Sequence, residues 1–151
     1  MNIQSTMPKV PFIPSSMETV DIMVELSGAK PGQKVADLGA GDGRIVMAFA
    51  KKGVEVHGYE IDADLALKTA SKIKEEGLDD KIFIHHADYW QEPLSQYDII
   101  TIYGMTSIMG KLEEKLKREL KHGAKIVSNT FTFPTWEPVD KKKNVYLYIV
   151  P

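Results

Sequence analysis

The 151-residue chain contains no cysteine. Disulfides and thiolate metal sites are therefore excluded. No apolar run approaches the length needed to cross a bilayer. The N-terminal residues carry neither the apolar core of a signal peptide nor an arginine-rich transit pattern. A cytoplasmic location without a membrane partner is the expectation. Excess positive charge is missing too. Nineteen Lys and Arg face 21 Asp and Glu, for a net charge of −2 and a pI near 6.1. No broad basic face follows, so no nucleic-acid partner is expected. Internal repeats and low-complexity stretches are also absent. What remains is a composition of 43% hydrophobic and 26% charged residues, that of a soluble globular domain. The length suits one domain. Residues 1–14, with three prolines, read as an extended arm, and 15–151 as the domain. A monomer or weak oligomer is expected.

The organising stretch is Val35-Ala36-Asp37-Leu38-Gly39-Ala40-Gly41-Asp42-Gly43-Arg44. It reads as a buried strand, a glycine turn and the start of a helix, the opening of a βαβ unit. Glycines belong where the backbone takes unusual dihedrals or a ligand approaches the main chain. A dinucleotide fingerprint is G-x-G-x-x-G. Here the spacing is G-x-G-x-G, and Arg44 stands where the third dinucleotide glycine would be. Asp37 would repel a pyrophosphate and suits a ligand with a positive amino group.

A second carboxylate, Glu60, closes the run Val54 to Glu60, about 20 residues beyond the glycines. Nucleotide-binding folds place a ribose-binding acid there. The plain alternative is an exposed glutamate at a strand end.

Elsewhere Ser15-Ser16-Met17-Glu18 fits a capping box with Ser15 as N-cap, opening a helix to about Ser27. Strands are expected at 32–38, 54–59, 81–85, 96–103, 125–130 and 145–150. Helices are expected at 43–52, from Asp62 to Gly77 with Ala63, Ala66, Leu67, Ala70 and Ile73 buried, and around Leu112, Leu116 and Leu120. Lys141 to Asn144 read as a hairpin turn. His85, His86 and Asp88 do not make a metal site, because adjacent strand residues point to opposite faces.

The glycine motif resembles motif I of the seven-strand S-adenosylmethionine (AdoMet) methyltransferases. Val10-Pro-Phe-Ile-Pro, the motif I run through Val46, Leu112 to Leu120, and Phe131-Thr-Phe-Pro-Thr-Trp-Glu-Pro together resemble a narrower family. That family is the protein-lysine methyltransferases that include a broad-specificity archaeal enzyme and mitochondrial enzymes acting on the ATP synthase c-subunit and the adenine nucleotide translocase. The mitochondrial members carry a membrane-anchoring extension, so a soluble prokaryote-type enzyme is expected here.

The resemblance implies a Rossmann-like α/β fold, a three-layer αβα sandwich with a C-terminal antiparallel hairpin. It implies AdoMet as cofactor, with Asp37 facing the methionyl amine and Asp88 accepting from the adenine amino group. Pro14, Ser15, Gly39, Ala40, Gly41, Gly43, Glu60, Ile61 and Tyr89 complete the expected cofactor site, and no metal is needed. Phe12, Tyr103, Phe131 and Trp136 are candidates for an apolar channel to the substrate amine. The alternative for Phe131 and Trp136 is core filling. Ser128 or Asn129, with Tyr103, would orient that amine. The expected partners are proteins with accessible lysines. The alternatives are a small-molecule or RNA methyltransferase, or a non-catalytic AdoMet-binding module.

Overall fold

The computed structural model describes residues 14–151. In chain order the elements are α1 (Met17–Ser27), β1 (Lys34–Leu38), α2 (Arg44–Ala50), β2 (Glu55–Glu60), α3 (Ala63–Glu75), β3 (Ile82–His86), β4 (Ile99–Ile102), α4 (Thr106–Glu119), β5 (Lys125–Asn129), β6 (Asp140–Lys142) and β7 (Val145–Ile149). Their strands form one seven-stranded sheet in the order β3-β2-β1-β4-β5-β7-β6. The pairs among β1 to β5 are parallel, whereas β7 runs antiparallel to β5 and to β6.

Burial follows from the strand sequences. Val35, Val56, Ile99 and Val127 face one side, where α1, α2 and α3 supply Val20, Met23, Phe49 and Ile73. Ala36, Leu38, Ile100, Ile102 and Ile126 face the other, where α4 supplies Ile108, Leu112 and Leu116. Strands covered on both faces read as continuous apolar runs, which is why they were legible. The second layer is thin. Between β3 and β4 the chain makes only a single 3-10 turn at Tyr89–Gln91. Phe83, His57 and His85 lie side by side on this face, with Tyr97 packed against His57.

Three local expectations change. Helix α1 is capped by Ser16, whose side chain accepts from the Thr19 amide. Ser15 is instead buried, and Glu18 pairs with Lys143 rather than closing a capping box. The buried stripe of α3 is Ala66, Thr69 and Ile73, with Ala63, Leu67 and Ala70 outside. Hydrophobicity ranks Leu67 above Thr69, but Thr69 shares the face of Ala66 and Ile73 and donates there to the Gly41 carbonyl. Lys141 and Lys142 belong to β6, so the hairpin turn narrows to Lys143 and Asn144.

The strand order reverses between β1 and β4. In open α/β sheets, the crevice beyond the carboxyl ends of the strands at such a point is where ligands bind. Asp37, the glycine turn, Tyr103 and the end of β5 all lie at that end.

Candidate active site

Asp37 sits one residue from the end of β1, in register with Thr101 of β4. It is 1% exposed. The Thr101 hydroxyl donates to its Oδ1 at 2.8 Å. Its Oδ2 is buried with no hydrogen-bond partner among the described residues. Burial raises the carboxyl pKa to about 7; the Thr101 bond offsets part of this, and the neighbouring charges of Glu60 and Asp42 add to it. An unsatisfied buried carboxylate oxygen costs free energy unless a ligand or a proton answers it.

The glycine turn is fastened on the other side. The amides of Gly39 and Ala40 donate to the Tyr59 carbonyl at 2.9 Å each. The Gly41 amide donates to Glu60 Oε1 at 2.9 Å, and the Asp62 amide to Oε2 at 3.0 Å. Glu60 therefore holds the turn itself, and each oxygen keeps a further acceptor direction. Gly39 has φ 99° and open space where a Cβ would stand. Gly43 has φ 85°, and a Cβ there would come within 2.8 Å of Thr69 Cγ2. Thr69 donates its hydroxyl to the Gly41 carbonyl at 2.6 Å. Thr69 and Thr101 are site residues that the sequence did not reveal. A threonine in a helix and another in a strand carry no signal until register is known.

At the tip of β3, Asp88 is buried. Its Oδ1 accepts from the Trp90 amide at 3.0 Å, and its Oδ2 is a second buried oxygen without a partner among the described residues. Tyr89 packs beside it, its hydroxyl pKa pushed up by burial and by the Asp88 charge. Ile61 follows Glu60, half-buried, and Pro14 is exposed. His85 meets His57, Nε2 to Nδ1 at 2.8 Å, rather than His86.

The candidates for the acceptor side divide. Tyr103 and Phe131 are half-buried, their rings 6.0 Å apart. Trp136, by contrast, is in the core with Phe133 and Tyr148, so it fills space under the hairpin rather than lining a channel. The Ser128 hydroxyl is committed to the Phe131 carbonyl at 2.5 Å. The Asn129 amide is committed to Ser15 Oγ at 2.9 Å. Both side chains thereby tie down the loop that carries Phe131, while the Ser128 hydroxyl oxygen keeps its acceptor capacity. Phe12 lies outside the described residues.

A doubly wound sheet closed by a reversed hairpin, with acids at three successive strand tips around a glycine turn, defines a methyltransferase-type α/β domain. Residues 37–140 match the family described as the ANTKMT methyltransferase domain, and the chain belongs to that family. It is 36% identical over 129 residues to the human lysine N-methyltransferase of the ATP synthase c-subunit, a match covering 85% of this chain and 55% of the other. It is 29% identical over 156 residues to a protein-lysine N-methyltransferase of Saccharolobus islandicus, covering 97% of each. A solved structure described as an RNA methyltransferase from Salinibacter ruber in complex with S-adenosyl-L-homocysteine is 32% identical. It superposes with a TM-score of 0.89 over 92% of this chain and 94% of that one. The chain spans a little over half the length of the vertebrate ATP synthase enzymes it matches.

Proposed function

We propose that this protein is an AdoMet-dependent methyltransferase acting on lysine ε-amines of proteins, with a broad choice of accessible lysines. The observation that carries the cofactor assignment is the pair of orphaned carboxylate oxygens, Asp37 Oδ2 and Asp88 Oδ2. Each is a buried acceptor with no donor among the described residues. AdoMet offers a donor for each: an α-ammonium group at one end and an exocyclic adenine amine at the other. Glu60, between them, keeps acceptor directions for a ribose diol. The absent side chain at Gly39 leaves the main chain open to close approach. The residues present therefore fit the cofactor.

When bound, AdoMet supplies a methyl group on a sulfonium, transferable by in-line displacement. The protein's share is alignment and exclusion of water. Lysine has a pKa near 10.4, so only about 1 in 2,500 is neutral at pH 7. Tyr103 and Phe131 offer an aromatic approach that disfavours the ammonium form by desolvation. Names among the relatives support lysine as acceptor.

The Salinibacter ruber relative, described as an RNA methyltransferase, favours a second reading, methylation of RNA. The net charge of −2 weighs against it. Labelled AdoMet incubated with protein and RNA acceptors separates the two. Label carried on lysine, transferred faster as pH rises from about 7 to about 9, is expected. Label released only by nuclease overturns the lysine assignment.

A further inference from the structure

Two residues at the rim of the site break local rules. Arg44 places a cation at the first position of α2, the end of a helix where positive charge is unfavourable. Thr130, β-branched, holds φ 72° at the tip of β5, a conformation that such residues avoid. Such violations persist where surrounding contacts over-determine them. Here they stand at the two ends of one chain of hydrogen bonds.

Asp42 grips Arg44, its Oδ1 accepting from Nε at 3.0 Å and its Oδ2 from Nη2 at 2.5 Å. Arg44 Nη1 then donates to the main-chain carbonyl of Ser15 at 2.7 Å. Ser15 is 6% exposed, and its hydroxyl accepts from Asn129 Nδ2. Asn129 Oδ1 accepts from the Thr130 hydroxyl at 2.9 Å. The Thr130 amide donates to the Asn144 carbonyl at 2.7 Å, and Asn144 Nδ2 returns to Thr130 Oγ1 at 3.1 Å. An arginine has the forked geometry to hold a carboxylate and a carbonyl together. The chain joins the glycine turn, where the donor half of the reaction would sit, to the β5 tip and Phe131, on the acceptor side.

We propose that Arg44 is a positioning residue for methyl transfer: through Ser15 and Asn129 it fixes the spacing between the glycine turn and the tip of β5. This rests on the methyl-transfer reading above. The brace makes no hydrogen bond to Asp37, Glu60 or Asp88, and Ser15, expected among the cofactor residues, turns its carbonyl to Arg44 and its hydroxyl to Asn129 instead. The brace therefore governs alignment rather than cofactor affinity. A displacement of about 1 Å in a reacting pair costs roughly 100-fold in rate.

The test compares Arg44→Ala, Asn129→Ala and the double variant with the parent protein. Methyl transfer is measured on an unfractionated histone mixture, and S-adenosylhomocysteine binding by calorimetry. Each single variant is expected to lose roughly 100-fold in kcat while its Kd stays within about threefold. The double variant should be no slower than the slower single, because both break the same chain. Ser15→Ala, which deletes only a hydroxyl, should reproduce Asn129→Ala if a bulkier change disturbs folding. Unchanged kcat, an additive loss in the double variant, or a Kd loss matching the kcat loss overturns the proposal. Amide exchange gives a readout independent of any acceptor. Arg44→Ala should speed exchange at the Thr130 amide by about tenfold, and unchanged exchange there overturns the brace. If the parent protein methylates no histone lysine, the broad choice of lysines fails, and the exchange result still decides whether Arg44 braces the tip of β5.

Discussion

Asp37 makes the cofactor assignment measurable as a proton. Its carboxyl pKa is raised to about 7 by burial, against an ordinary value near 3.9. A group whose folded pKa lies above its unfolded one stabilises the fold fully below the unfolded value. That contribution is lost as pH climbs through the folded pKa. About three units at 1.36 kcal/mol each give roughly 4 kcal/mol lost by Asp37 between about pH 4 and pH 8. Denaturant unfolding of the parent and Asp37→Asn proteins isolates this contribution. Their stability difference should tilt toward the variant by about that amount over the window, whatever the fixed cost of the amide. Asp98, Glu113 and Glu119, whose pKa values are lowered, act in the opposite sense at acid pH and cancel in the difference. A ligand ammonium on Oδ2 demands the ionised form. In the free protein about 1 in 11 molecules meets that demand at about pH 6, and about three in four at about pH 7.5. S-adenosylhomocysteine should therefore bind about eightfold tighter at the higher pH, releasing close to one proton at the lower. An affinity flat across this range, or an equal slope in Asp37→Asn, would refute the placement of the amine on Asp37.

Other outcomes follow from packing. Glu60→Gln replaces one of two acceptors for the Gly41 and Asp62 amides with a donor; it should cost about 1–3 kcal/mol in chemical unfolding and weaken nucleoside binding in calorimetry. Gly58→Ala would put a Cβ 2.7 Å from that of Ala40 and 2.9 Å from Ile84 Cδ1. It should destabilise by about 1–3 kcal/mol and raise the Kd for S-adenosylhomocysteine by displacing the glycine turn. Trp136→Ala should cost about 3–5 kcal/mol by thermal denaturation, whereas Tyr103→Ala, at a half-buried rim position, should lower turnover with a smaller loss of stability. A Tyr103→Ala protein with parental turnover would remove that ring from the acceptor path.

Sequence alone determined the strand–turn–helix opening and the acids at 37 and 60, while Asp88 and the arrangement of the sheet came with the family resemblance. These are local signals: apolar runs, glycine spacing and the position of a carboxylate at the end of a strand. The tertiary structure decided what those acids meet. Thr101, 64 positions from Asp37, caps one oxygen and leaves the other open, which no linear spacing encodes. Thr69, three residues after Ala66 and four before Ile73, lies on the inner face of α3 and donates to Gly41, whereas Leu67 is turned to solvent. Trp136 and Phe131, five residues apart in one aromatic stretch, were separated by packing, one into the core and the other to the rim. Ser15 changed from a helix cap into the link between Arg44 and Asn129. Chain order can state which groups are present; only folding sets which distant groups share a bond, because sheet register and helix rotation are settled by contacts across the whole chain.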